Sequence, residues 1–144
     1  MIDVLELMNE SFIPMALITG VALIILGANE RYSSVMNRIR NMHREIFLGE
    51  INENLVSSYR RQISTLILMA KILRNGLLSL YFSVFFAVVS SISIVISFLY
   101  SVNVEGVVLI NMILSLISVF LGAIFIILHI ILSLRALEID LKSM

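Results

Sequence analysis

The chain has 144 residues, of which 60% are hydrophobic, and its mean hydropathy is +1.05. Soluble domains contain about 45–50% apolar residues, so this composition excludes a soluble domain and predicts an integral membrane protein. Ten basic and ten acidic residues give a net charge of zero, and the absence of Cys excludes a disulfide scaffold and a thiolate metal site. We expect no nucleic-acid partner.

Three apolar segments, 12–28, 76–100 and 107–134, contain no Asp, Glu, Lys or Arg. A helix rises about 1.5 Å per residue and a bilayer core is about 30 Å thick, so about 20 residues cross it. The first segment is slightly short, but Ser11 and Asn29 lie at its edges. Acidic residues precede it, unlike a cleaved signal peptide. The sequence predicts three transmembrane helices in a single membrane domain, 1–144.

The basic residues are strongly segregated along the chain. All ten Lys and Arg residues lie in 31–74 and 135–142, whereas Asp3, Glu6, Glu10 and Glu105 lie at the opposite ends of the predicted spans. Basic residues mark the cytoplasmic side of membrane proteins. We therefore expect a multi-pass protein of the cell membrane with its amino terminus outside and its carboxyl terminus in the cytoplasm.

The basic segment 29–75 is itself predicted to be helical. Two apolar stripes at helical spacing flank a predicted turn at Gly49; they are Val35, Ile39, Met42, Ile46 and then Leu55, Tyr59, Ile63, Leu66, Ala70, Leu73. The fold class is thus an all-α integral membrane protein whose first and second spans extend into a cytoplasmic antiparallel helical hairpin. Packing of the stripes against each other is the favoured interpretation. A binding surface for a cytoplasmic protein or anionic lipid is the alternative.

Small and polar residues within the spans form stripes suited to helix packing. The stripes are Ala16, Gly20, Gly27 in the first span, Ser79, Ser83, Ala87, Ser90, Ser97 in the second, and Asn111, Ser115, Ser118, Gly122, His129, Ser133 in the third. Leu23 interrupts the first stripe. Ordinary helix packing is the favoured interpretation of all three.

His129 is the one ionisable side chain inside a predicted span. An intramembrane histidine suggests a proton-linked switch, but this one lies near the cytoplasmic interface, and a structural role is favoured. The sequence contains no phosphate-binding glycine loop, HExxH motif or nucleophile elbow. We therefore expect neither an enzyme nor a cofactor or metal site.

The chain resembles a widespread bacterial three-span membrane family catalogued as a domain of unknown function. The resemblance rests on "IPMALITGVALIILGANERYSSVMNRIRNMHREI", on "AKILRNGLLSLYFSVFFAV" and on "IFIILHIILSLRALEI", and it covers nearly the whole chain. Its most specific part is Pro14, Thr19 and Gly20, followed by a basic helix. Asn37 stands where the family has an acid before R-x-R, and a second arginine near Ser34 is missing. The resemblance implies the topology and no activity.

The first hypothesis for function is a homo-oligomeric, pore-like ion channel. One face of the first helix carries acidic, then apolar and small, then basic residues, namely Glu6, Glu10, Ile13, Leu17, Gly20, Ile24, Gly27, Arg31 and Arg38. Around a symmetry axis these would form an acidic mouth, an apolar neck with Leu17 and Ile24 narrowest, and a basic cytoplasmic exit.

The alternative is a non-conducting membrane adaptor or regulatory protein that acts through its cytoplasmic hairpin. A transporter is disfavoured, because the chain lacks an internal repeat and charged residues at mid-membrane.

Overall fold

The computed structural model describes residues 4–48, 53–100 and 102–142, and the side chains of 12–48, 56–100 and 102–134. It contains three helices, α1 (Val4–Phe47), α2 (Glu53–Tyr100) and α3 (Glu105–Lys142). Each is long and apolar enough to cross a membrane. The predicted all-helical fold with three membrane helices is therefore confirmed, and the chain is a multi-pass membrane protein.

The helices are longer than the apolar segments from which they were predicted. The polar residues that flank each apolar segment are compatible with a helix, so α1 and α2 continue without interruption through most of 29–75. The predicted turn at Gly49 lies outside the described residues. At the other end of α2, the Oδ1 of Asn103 accepts a hydrogen bond of 3.1 Å from the backbone N–H of Glu105, the first residue of α3, and so forms an Asx turn before the helix.

The three helices form an antiparallel arrangement with α2 in the middle. Helices α1 and α3 each pack along α2 and hardly touch each other. Large apolar side chains cover much of the outer surface, among them Phe82, Phe120 and Ile127. In a bilayer such side chains face lipid, which is as apolar as they are.

The core between α1 and α2 is built from aliphatic side chains at heptad spacing. Val21, Ile25 and Ala28 of α1 pack with buried residues of α2, which are Leu73, Leu77 and Leu80. The alternating steps of four and three residues are typical of left-handed helix packing.

The same spacing continues along α1 beyond the apolar segment. Met42 is buried, and Val35, Ile39 and Ile46 are half-buried. In α2, Tyr59, Ile63 and Leu66 are half-buried, and Ala70 and Leu73 are buried. The two predicted stripes therefore face the interior wherever their side chains are described.

Candidate functional site

Serine residues join α2 to α3 in the middle of the bundle. Ser115 Oγ donates to the backbone carbonyl of Ser83 at 2.9 Å, and the two hydroxyl oxygens lie 3.0 Å apart. Because the Ser115 proton is used on the carbonyl, the Ser83 hydroxyl donates to Ser115 Oγ. Ser79 Oγ donates to the carbonyl of Ser118 at 2.8 Å. We call this contact between α2 and α3 the serine seam.

Two glycines allow the helix backbones to approach closely at the same seam. A Cβ built on Gly122 would lie 2.7 Å from Leu80 Cδ2 and 3.3 Å from the carbonyl oxygen of Gly76. A Cβ on Gly76 would lie 3.0 Å from Phe125 Cβ. Neither position leaves room for a side chain, which accounts for the small residues predicted to pack in the second and third spans.

The small residues of the first span have a different environment. Ala16, Gly20 and Gly27 are exposed, and a Cβ on either glycine would meet nothing within 4 Å. We call these three residues the α1 ridge. The expectation that they pack against the other two spans is not met within one chain, because α1 turns Pro14, Val21, Ile25 and Ala28 toward α2 instead.

The predicted pore-lining residues fall into three groups. Ile13, Gly20, Ile24, Gly27, Arg31 and Arg38 are exposed. Leu17 is half-buried and packs against the core of α1 and α2, so it lies at the inner edge of the predicted face. The side chains of Glu6 and Glu10 lie outside those that the structure describes.

Near the start of the basic segment, one polar contact links α1 to α2. Asn29 Nδ2 donates to Tyr81 Oη at 3.2 Å. Sequence reasoning did not single out Tyr81, because the residue that it meets depends on how α1 and α2 are aligned along their length. No local pattern encodes that alignment.

His129 is buried, with 6% of its surface exposed, and neither ring nitrogen has a hydrogen-bond partner among the described residues. Ser90 Oγ is likewise buried and unpartnered within the part of the chain that the structure describes. In the same part, no three His, Cys, Asp or Glu side chains stand close enough together to hold a metal ion. The two polar residues on α2 and α3 therefore differ from the fully paired serines of the seam.

Comparison with known proteins identifies a family but no characterised relative. The chain belongs to the family described as protein of unknown function (DUF2721), whose model matches residues 11–139. This confirms the resemblance to a family of unknown function. No curated protein and no solved structure matches the chain.

Proposed function

We propose that the protein is a homo-oligomeric membrane protein in which the α1 helices of several copies pack around a common axis and enclose an ion pathway. The observation that carries this proposal is the open α1 ridge, where Gly20 and Gly27 have no neighbour within 4 Å of a Cβ position. At the glycines of the serine seam, by contrast, the neighbouring helix occupies the space that a side chain would need.

An exposed glycine ridge on a membrane helix is suited to close packing against another helix. Glycine inside a helix costs about 0.8–1.0 kcal/mol relative to alanine. Within a bilayer, close backbone approach between helices offsets that cost, as it does at Gly76 and Gly122. The ridge has no such partner in its own chain, so a helix from another molecule would supply one.

The charges of α1 favour a second copy of the chain as that partner. The pair Glu30 and Arg31 is followed two heptads later by the pair Arg44 and Glu45. One flank of α1 therefore carries Glu30 and Arg44, and the other flank carries Arg31 and Glu45. In a ring of parallel helices, each helix turns one flank toward the other flank of its neighbour. Arg31 then meets Glu30 of the neighbouring copy, and Glu45 meets Arg44 of that copy.

In this ring, Leu23 and Ile24 are the apolar residues beside the ridge between Gly20 and Gly27, and 68% and 43% of their surfaces are exposed in one chain. Glu6 and Glu10 precede them along α1, and Arg31 and Arg38 follow them. An apolar constriction of this kind closes a pathway by excluding water, while charged rings at its ends select ions. The amino terminus would lie outside, by the distribution of basic residues.

Disulfide cross-linking tests the ring. Ala16 and Ala22 are both exposed alanines of α1, but Ala16 lies on the ridge and Ala22 on another face. After oxidation in membranes, Ala16→Cys should form disulfide-linked dimers and Ala22→Cys should not. Equal cross-linking of the two variants, or none for Ala16→Cys, would contradict the arrangement.

Ion flux in proteoliposomes tests the pathway separately. Ile24→Ser should wet the constriction and raise flux, whereas Leu26→Ser, on the opposite flank of α1 and 61% exposed, should leave it unchanged. If Ala16→Cys cross-links but neither the wild type nor Ile24→Ser conducts ions, the protein is an oligomer without an ion pathway.

That outcome would favour the second candidate, an adaptor that binds a partner through residues 29–75. One observation supports it. A shallow polar groove of about 730 Å³ runs along α1 between Glu30 and Glu45, lined by Ser34, Asn37 and Asn41 among others. Asn37→Ala and Asn41→Ala would then abolish partner capture, and an unchanged set of cross-linked proteins would count against the adaptor.

A further inference from the structure

A cavity of about 420 Å³ lies between all three helices near the end at which α2 joins α3. Its apolar wall includes Ile94 and Phe98 of α2 and Val108 and Met112 of α3, and Pro14 of α1 closes one side. Pockets that bind small molecules measure about 300–1,000 Å³ and are mostly apolar with a few polar groups. This cavity belongs to a single copy of the chain, so it does not depend on the proposed assembly.

The polar groups at the cavity are hydrogen-bond acceptors or hydroxyls. Ser90 Oγ is fully buried in its wall and unpartnered among the described residues, and Glu105 lies at its exposed rim. The hydroxyl of Ser97, the other serine of the wall, already donates to the carbonyl of Val102 at 2.8 Å.

The described part of the cavity wall carries one charged side chain, the acid Glu105. Among the side chains that the structure describes, no Lys or Arg lines the cavity. A phosphate or carboxylate head would meet the charge of Glu105 with no opposite charge to offset it. A cationic donor is complementary to the Glu105 carboxylate.

We propose that the cavity binds a small lipophilic ammonium compound that enters from the bilayer. Its aliphatic part packs against Ile94, Val108 and Met112, and its N–H groups donate to the Glu105 carboxylate at the rim. Because the described part of the rim has a carboxylate and no base, the ligand is a single-chain amine and not a phospholipid.

Photoaffinity labelling of the full chain in nanodiscs tests this assignment with octylammonium that carries a diazirine. The label should appear in 90–98 and 104–112, and unlabelled octylammonium should compete for it. Octanol, which has the same chain without the charge, should compete about three- to fivefold less well, as expected for one partly exposed charge contact. Octyl phosphate should not compete. Equal competition by octanol, or competition by octyl phosphate, would overturn the proposal.

Four variants test where the ligand binds. Glu105→Gln should remove the preference for octylammonium over octanol, and Glu138→Gln, an acid at the other end of α3, should retain it. Ser90→Leu should abolish labelling, because the larger side chain fills the cavity. If Ser90→Leu does not fold, Ile94→Phe fills the cavity from the next turn of α2 and should have the same effect. If Ser90→Leu or Ile94→Phe unfolded at the wild-type midpoint and were still fully labelled, the site would be refuted. It would also be refuted if Glu105→Gln still preferred octylammonium over octanol.

Discussion

The serine seam and the α1 ridge both consist of small residues at helical spacing, yet one is closed and the other is open. At the seam, Gly122 lies against Leu80 and the backbone of Gly76, whereas on the ridge nothing lies within 4 Å of a Cβ on Gly27. Helix α3 begins five residues after α2 ends and runs back along it, so their small residues meet. Helix α1 instead uses aliphatic residues to reach α2, which leaves its glycines outside. Small residues in a span therefore indicate a packing surface but do not identify the helix that packs against it.

The largest effect is expected from adding a methyl group at each of these glycines in turn. Gly122→Ala should lower the free energy of unfolding of the chain by about 1–3 kcal/mol, because the buried Leu80 has little room to move. Gly27→Ala should not destabilise the chain and should raise helix propensity by up to about 1 kcal/mol.

Unfolding of both variants in the same detergent measures this contrast. Gly106→Ala is the control within α3, since a Cβ there also meets nothing within 4 Å. Comparable stability of Gly122→Ala and Gly106→Ala would contradict the close approach at the seam.

A smaller effect is expected from the paired hydroxyls of the seam. Ser83→Ala leaves Ser115 Oγ without its donor, and hydrogen bonds between membrane helices contribute about 0.6 kcal/mol on average and up to about 1.7 kcal/mol. A double-mutant cycle with Ser115→Ala should show coupling of this size.

Ser91→Ala provides the matched control, because Ser91 Oγ donates to the carbonyl of Ala87 in its own helix at 3.1 Å. It should change stability by less than about 0.5 kcal/mol. Additive effects of Ser83→Ala and Ser115→Ala would contradict the observed pairing.

The smallest effect concerns the exposed contact between α1 and α2. Tyr81→Phe removes the hydroxyl that accepts from Asn29 and should cost about 0.5–1 kcal/mol, since the bond is exposed and both groups can find other partners. Tyr100→Phe, at the exposed end of α2, should have no measurable effect. If Asn29→Ala destabilised the Tyr81→Phe chain as much as it destabilised the wild type, Asn29 and Tyr81 would not interact.

Much of the fold could be predicted from patterns within single helices. Apolar length predicts the three membrane helices, and the spacing of Val35, Ile39, Met42 and Ile46 predicts which side of α1 faces inward beyond the first apolar segment. Most of the serines and the glycine predicted to pack in the second and third spans are buried or half-buried, whereas Ser133 is exposed. A bilayer offers polar and small residues few roles other than packing. These are local properties, set by the helical repeat and by the solvent.

The sequence by itself therefore determined the class, the number of helices and the inward face of the basic segment. Only the tertiary structure decided which small residues are used within the chain, because burial of Gly122 and exposure of Gly27 depend on how three helices are aligned and rotated about one another. The same holds for the cavity, since Pro14, Ser90 and Glu105 lie far apart in the sequence and on three different helices. Helix alignment is set by the sum of many weak side-chain contacts along two interfaces, and no single stretch of residues encodes that sum.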